Sequence, residues 1–188
     1  MNISKSFVLL LCSLTLASLA NATEFTRIQI DKSNLSFVYK QMNVPIDGHF
    51  KKFRAQLNFD PTKPASAKAS FDLDLNSIDA GSDEANEEVV GKDWFNTKAY
   101  PTASFVSSGI KPLGGNRYEI SGKMTIKGRS QNIVAPFTFS PQGSTAVVDG
   151  AFVLKRADFA IGEGSWADFG TVANEIQIKF HFLANAGK

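Results

Sequence analysis

From Ala67 to Asn76 apolar and polar side chains alternate without interruption. Ala67, Ala69, Phe71, Leu73 and Leu75 share one parity, and Lys68, Ser70, Asp72, Asp74 and Asn76 the other. A repeat of two belongs to a strand whose faces meet different surroundings. Register is then fixed, because a one-residue slip would bury the polar set. The pattern recurs in Leu35/Phe37/Tyr39, in Gly48/Phe50, and, after a phase slip at Lys51-Lys52, in Phe53/Ala55/Leu57/Phe59. It continues in Ala103/Phe105/Ser107, Tyr118/Ile120/Gly122/Met124/Ile126 and Ile133/Ala135/Phe137/Phe139. The last stripes are Ala146/Val148/Gly150/Phe152/Leu154 and Ile176/Ile178/Phe180/Phe182.

These amount to about eight long runs, with a short lead strand around Phe25 to Ile30. The slip at Lys51-Lys52 predicts a β-bulge or a sharp bend. Breaks fall at Asn43-Val44-Pro45, Asp60-Pro61-Thr62-Lys63-Pro64, Leu113-Gly114-Gly115-Asn116, Lys127-Gly128-Arg129-Ser130 and Pro141-Gln142-Gly143, all with turn chemistry. Residues 77–101 depart from the alternation. Ser82-Asp83-Glu84 reads as a helix start, and Asp93-Trp94-Phe95-Asn96 as a second short helical turn. No helix is long enough to cover an apolar sheet face, so the sheet must close on itself or split into a sandwich. Long unbroken strands favour closure. The expected fold is all-β: an eight-stranded antiparallel barrel with one or two short helices capping one end.

Residues 1–22 read as a signal peptide, with Lys5, an apolar run from Phe7 to Ala20 and the small-residue site Ala20-Asn21-Ala22. The apolar run is shorter than the roughly 20 residues a spanning helix needs. Cleavage before Thr23 would leave one domain, residues 23–188, in the periplasm. It would also remove Cys12, the only cysteine, leaving neither a disulfide nor a thiolate metal site. With Lys5 gone, 19 Lys and Arg face 18 Asp and Glu, a net charge of +1. That balance argues against nucleic acid, whose phosphates require a clustered positive excess.

Catalysis finds little support. The two histidines are His49 and His181, and His181 lies on the outward parity of the last run. The acidic group Asp83, Glu84, Glu87 and Glu88 reads as the solvated face of a short helix. No nucleophile elbow, phosphate loop or dinucleotide glycine pattern occurs, and no cofactor or metal site is expected. The aromatic content is the distinctive feature: of 16 Phe, only Phe7 lies in the leader. Inward Phe residues usually fill a core, and at eight strands a barrel is either filled or holds one small ligand. The pattern leaves both open. Small inward residues at Ala67, Ala69, Ala103, Gly122, Ala135 and Gly150 tilt it toward a channel. Phe37, Phe59, Phe71, Phe105, Phe137, Phe139, Phe152 and Phe180 are expected to line that lumen, with Trp94 and Phe95 near a mouth. Gly122→Phe should then block the channel.

The order of motifs resembles the YceI-like polyisoprenoid-binding family over essentially the whole of residues 23–188. The pieces are Leu35-Ser36-Phe37, Val44 through Gly48-His49-Phe50, Leu57-Asn58-Phe59-Asp60, Ser77-Ile78-Asp79-Ala80-Gly81 and Asp93-Trp94-Phe95. Then come Tyr100 through Ser107, Gly122 through Gly128, and Lys155 through Gly162. Ala160 stands where the family more often has Gly. The resemblance implies a lipocalin-like barrel and a periplasmic carrier whose lumen holds a long-chain isoprenoid, a polyprenyl phosphate or a quinone tail. Gly162-Glu163-Gly164-Ser165-Trp166 looks like the subgroup related to domains beside cytochrome b561-type membrane proteins. That likeness implies transient contact with the inner membrane or such a protein. A phosphate head would need cations at the mouth, for which Lys127, Arg129 and Arg156 are the candidates; Lys51 with Lys52, and Lys155, also lie at strand ends. Arg156 has a rival role, pairing with Asp158 to tie down the following loop. The competing function is a non-enzymatic partner-docking or stress-related structural module with a filled barrel.

Overall fold

A computed structural model describes residues 23–187; the expected signal peptide lies outside the described residues. The strands are β1 (Phe25–Ile28), β2 (Asn34–Gln41), β3 (Val44–Phe50), β4 (Phe53–Asn58), β5 (Lys68–Asp74), β6 (Ile78–Asp79), β7 (Thr102–Gly114), β8 (Arg117–Ile126), β9 (Arg129–Gln142), β10 (Thr145–Lys155) and β11 (Glu175–Ala186). One α-helix, α1 (Asp83–Val89), lies among the described residues. All pairings are antiparallel, in the order β4-β5-β7-β8-β9-β10-β11-β2-β3-β6. β1 pairs with the end of β11. It also reaches the residue just after β4 through reciprocal backbone bonds between Phe25 and Phe59, at 2.9 and 3.0 Å. The sheet thus curls until its margins meet, and the expected all-β antiparallel architecture is present.

Among the described residues the strand count is eleven rather than eight because three positions in the curl are kinked. A 3-10 turn at Ile30–Lys32 separates β1 from β2, Lys51-Lys52 separates β3 from β4, and a 3-10 turn at Leu75–Ser77 separates β5 from β6. The last two breaks support each other. Lys51 N–H donates to Ser77 O and Lys52 N–H to Ser77 Oγ, each at 3.0 Å, while Asp74 N–H donates to Lys52 O at 3.1 Å. Backbone groups freed by one corner are thus satisfied by its neighbour, as buried amides require. The predicted bend at the two lysines is real, but it ends a strand instead of bulging one.

Other corners differ from expectation in place. The β2–β3 turn is Met42-Asn43, both at positive φ (49° and 65°), so Val44 and Pro45 belong to β3. β7 runs on to Gly114 past a bulge at Ser108: Ser107 faces Gly122, and Gly109 faces Ser121. The extra residue swaps parity, so Ile110 points inward beside Ala103 and Phe105. After α1, residues 91–100 form hydrogen-bonded turns in place of a second helix, and Asn96 takes a left-handed conformation (φ 50°). Ser82 caps α1, its Oγ accepting from Ala85 N–H at 3.2 Å.

The inward stripes form two apolar clusters. One surrounds Leu35, Phe37, Phe50, Leu73, Leu75, Ile78 and Trp94. The other gathers Phe25, Phe59, Tyr118, Phe137 and Phe139.

Candidate functional site

The interior is not filled. A cavity of about 540 Å³ runs between the two clusters. All ten aromatic candidates border it: Phe37, Phe59, Phe71, Trp94, Phe95, Phe105, Phe137, Phe139, Phe152 and Phe180. They occupy three distinct positions.

Phe59, Phe137 and Phe139 form a floor. Phe139 meets Phe25 edge to face at 5.0 Å and Phe59 at 4.7 Å, while Tyr118 stacks on Phe137 at 5.4 Å. Such contacts add about 0.5–1.5 kcal/mol each beyond burial, enough to hold this end shut. Phe25 was not foreseen here, because a four-residue lead strand carries too little alternation to declare a face.

Phe37, Phe71, Phe105, Phe152 and Phe180 form walls, and three of these rings lie over glycines. Phe37 covers Gly48 and Phe180 covers Gly150, each directly opposite in register, while Phe105 covers Gly122 diagonally. The glycines therefore create no gap in the wall; they let the rings lie against it. A Cβ at Gly122 would fall 2.5 Å from Val106 O and 2.6 Å from Phe105 Cε2. Gly122→Phe would thus disturb the wall itself, and it is not a clean test of channel blocking. Phe50 and Phe182 share the inward parity, lie outside the candidate set and also line the cavity.

Trp94 and Phe95 lie at the other end, where exposed Ser82, Glu84 and Glu88 of the α1 segment border the cavity. The turn after α1 holds them: Trp94 N–H donates to Gly91 O at 3.2 Å and Phe95 N–H to Val89 O at 3.0 Å. Facing them is the segment between β10 and β11. Trp166 packs on Trp94 at 5.4 Å and donates Nε1–H to Glu88 Oε1 at 2.8 Å. Gly162 and Glu163 N–H both donate to Asp93 O at 2.8 Å. Tyr39 donates its hydroxyl to Ala80 O at 2.9 Å, and burial raises its pKa above 10.0.

The three head-group candidates cluster around this segment, each already engaged or set apart. Arg156 is 1% exposed. Its guanidinium donates to Val172 and Ala173 O from Nε, to Ile161 and Gly162 O from Nη1, and to Trp166 and Val172 O from Nη2, over 2.7–3.3 Å. It does tie down the following loop, but through carbonyls; Asp158 is exposed and takes no part. Burial without a carboxylate lowers its pKa from the usual value. Lys127 Nζ donates to Ala160 O at 2.6 Å and to Glu163 at 2.9 Å. Arg129 borders a separate hollow of about 270 Å³, behind Arg156. Lys51, the outlying alternative, pairs with Asp79 at 3.0 Å.

One polar group near the mouth stands apart. Trp94 is 8% exposed, and its Nε1–H is the one buried side-chain nitrogen or oxygen among the described residues without a hydrogen-bond partner. Leaving such a donor unmade costs about 1–3 kcal/mol. Among the described residues no cluster of three or more His, Cys, Asp or Glu could hold a metal ion, and no helix is long and apolar enough to cross a membrane.

A curled antiparallel sheet around an apolar cavity, floored at one end and bordered by a helix at the other, defines a small-ligand-binding β-protein. Residues 27–184 match the YceI-like domain, and the chain belongs to that family. A UPF0312 protein of Azotobacter vinelandii is 26% identical over 160 residues, covering 82% of this chain and 77% of its own. The crystal structure of Burkholderia cenocepacia BcnA is 48% identical with a TM-score of 0.82, covering 85% of this chain and 100% of that one. A polyisoprenoid binding domain from Saccharophagus degradans, implicated in plant cell wall breakdown, shares the fold at 15% identity and a TM-score of 0.67, over 88% of this chain and 99% of that one.

Proposed function

We propose that the protein is an exported carrier that holds one long-chain isoprenoid in the cavity and acts by binding, without catalysis. The observation that carries this is the apolar cavity of about 540 Å³, kept open by Phe rings laid over glycines. A filled-barrel docking module has no use for such a space. The family membership, and the binding named for the S. degradans domain, make an isoprenoid the natural occupant. Polar groups around the mouth are committed to structural bonds, as Arg156, Lys127 and Tyr39 illustrate, which suits a holder better than a catalyst.

An octaprenyl-sized chain has about 40 carbons, and at roughly −0.3 kcal/mol per atom it would bind tightly from water. From a bilayer, already apolar, transfer is near balance. That fits exchange with the inner membrane or with a cytochrome b561-type partner. Organic extraction and mass spectrometry of the purified protein test the reading: about one isoprenoid per chain is expected, and an extract free of any lipid would sink it. Export is tested separately by the N-terminus of the mature protein, expected at Thr23 in the periplasmic fraction.

A further inference from the structure

β9 and β10 part before they reach the mouth. Their register runs from Thr145 opposite Gln142 to Gly150 opposite Phe137 and ends there, although β9 extends back to Arg129 and β10 on to Lys155. Each stays paired on its far side, β9 with β8 as far as Arg129 and β10 with β11 as far as Lys155. Pro136, the next residue of β9 toward the mouth, has no N–H to continue the ladder. The wall is therefore split here, and Ile133 and Phe152 of its two lips border the cavity. Continued in the same register, Val134 would stand opposite Val153 on the outer face; instead they are 53% and 57% exposed. At the wide end, Gln131 Nε2–H donates to Asp158 O at 3.1 Å and Lys127 Nζ to Ala160 O at 2.6 Å. The hollow bordered by Arg129 lies there too, and Arg156 and Ile161 border both it and the cavity. The segment that closes the mouth thus also stoppers the split, so its movement would join the two into one opening.

Exposed lysines flank the split. Lys123 is the diagonal neighbour of Val134, Lys179 that of Val153, and Lys155 follows two residues after Val153. Among the described residues none of the three enters an ion pair. Of the carboxylates nearby, Glu119 is taken by Lys111 at 2.6 Å, Glu175 faces Lys155, and Asp158 shares the wide end with Arg129. A single exposed valine is ordinary, but these two stand on either side of a break in the wall of an apolar cavity, under a positive fringe. We propose that this split face docks on an anionic bilayer: Val134 and Val153 sink among the head groups, the lysines meet lipid phosphates, and the isoprenoid is exchanged across the docked edge. The exchange rests on the carrier reading above.

The test uses residues 23–188, which contain no cysteine, so one introduced thiol can carry an environment-sensitive dye. Val134→Cys and Val153→Cys place it at the split, Leu113→Cys on the β7–β8 hairpin and Met42→Cys on the β2–β3 turn. With vesicles of phosphatidylethanolamine and phosphatidylglycerol, the dye at 134 and 153 should shift to the blue and the dye at 113 should not. Lys123→Gln combined with Lys179→Gln should weaken that binding at least about tenfold, since each lysine near an anionic surface contributes about fivefold. Vesicles of phosphatidylcholine alone should bind as weakly as that double variant binds the anionic ones. Val134→Asp with Val153→Asp, both on the outer face, should slow isoprenoid loading from anionic vesicles several-fold and leave loading from detergent micelles unchanged. A shift at 42 with none at 134 and 153 moves the docking to the β2–β3 turn and overturns the proposal. No shift at any position, or binding indifferent to the lysine changes, overturns it as well. Isoprenoid content keeps the two readings apart. About one isoprenoid per chain with no shift sinks the docking face alone, whereas a shift at 134 and 153 in a protein whose extract holds no lipid supports that face and sinks the carrier.

Discussion

Phe180 and Gly150 face each other directly across β11 and β10, and the Phe180 ring occupies the space where a side chain on residue 150 would stand. A Cβ there would fall 2.6 Å from Phe180 Cε2 and 2.7 Å from Pro136 O. The same relation joins Phe37 to Gly48 and Phe105 to Gly122. A phenyl group projecting from the wall would take up cavity space; laid over glycine, it becomes part of the wall.

Gly150→Ala should therefore destabilise the protein by about 1–3 kcal/mol, the usual range for overpacking. Part of that loss should be recovered in a Phe180→Leu background, because the ring is one of the two obstacles. Denaturant midpoints of the two single variants and the double variant measure the coupling. Strict additivity would mean that the ring does not depend on the glycine.

Arg156 and Asp158 make a paired prediction. Replacing Arg156 with Leu orphans the carbonyls of Ile161, Gly162, Trp166, Val172 and Ala173 and should cost more than about 3 kcal/mol. Hydrogen exchange should rise first across 157–174. Asp158→Asn should stay within about 0.5 kcal/mol of the parent, since only the Asp158 backbone is used, its carbonyl accepting from Gln131 at 3.1 Å. Equal losses from the two substitutions would restore the Arg–Asp pair as the tie.

Much of the wall was legible because parity is a local property: each strand carries its own alternation, and the inward Phe of β5, β9, β10 and β11 follow from it. What escaped depends on distant partners. Ser107-Ser108-Gly109 holds no apolar residue to mark the bulge that turns Ile110 inward. The bend at Lys51-Lys52 was visible as a slip, but the groups that stabilise it belong to Ser77 and Asp74. Arg156 could be singled out and not placed, because its acceptors are main-chain carbonyls that any residue carries. The unpartnered Trp94 N–H left no trace in sequence for the same reason: it is the lack of a neighbour.

The bond from Trp166 Nε1 to Glu88 Oε1 joins the β10–β11 segment to α1 across 78 residues. Both lie at the mouth, so the bond must loosen if the segment swings aside to admit a chain. Glu88→Ala should raise amide exchange at Trp166 and Ala167, whose N–H groups bond within the segment at 3.1 and 3.2 Å. It should also accelerate ligand uptake several-fold, for an exposed charged bond of about 1 kcal/mol. Glu88→Gln keeps an acceptor oxygen and should lie between the two. Uptake rates identical in all three would locate the entry elsewhere.

Acid should loosen the same mouth through Glu163. The Lys127 ammonium, hydrogen-bonded at 2.9 Å and adding its charge, holds the Glu163 carboxyl below its ordinary value of 4.5, with a smaller contribution from Arg129. A carboxylate depressed in the folded state stabilises it above the unfolded value and loses that contribution as pH falls through the folded value. The Lys127–Glu163 tie is therefore complete above about pH 5 and fades below 4.5. The ¹³C carboxyl shift of Glu163 should titrate with a midpoint below 4.5 in the parent and return most of the way toward 4.5 in Lys127→Met. In denaturant melts, the stability difference between the parent and Glu163→Gln should stay constant from pH 6 upward and shrink on acidification. A difference that grows as the pH falls has the wrong sign for a depressed carboxylate, and would assign the acid response of this segment to another group.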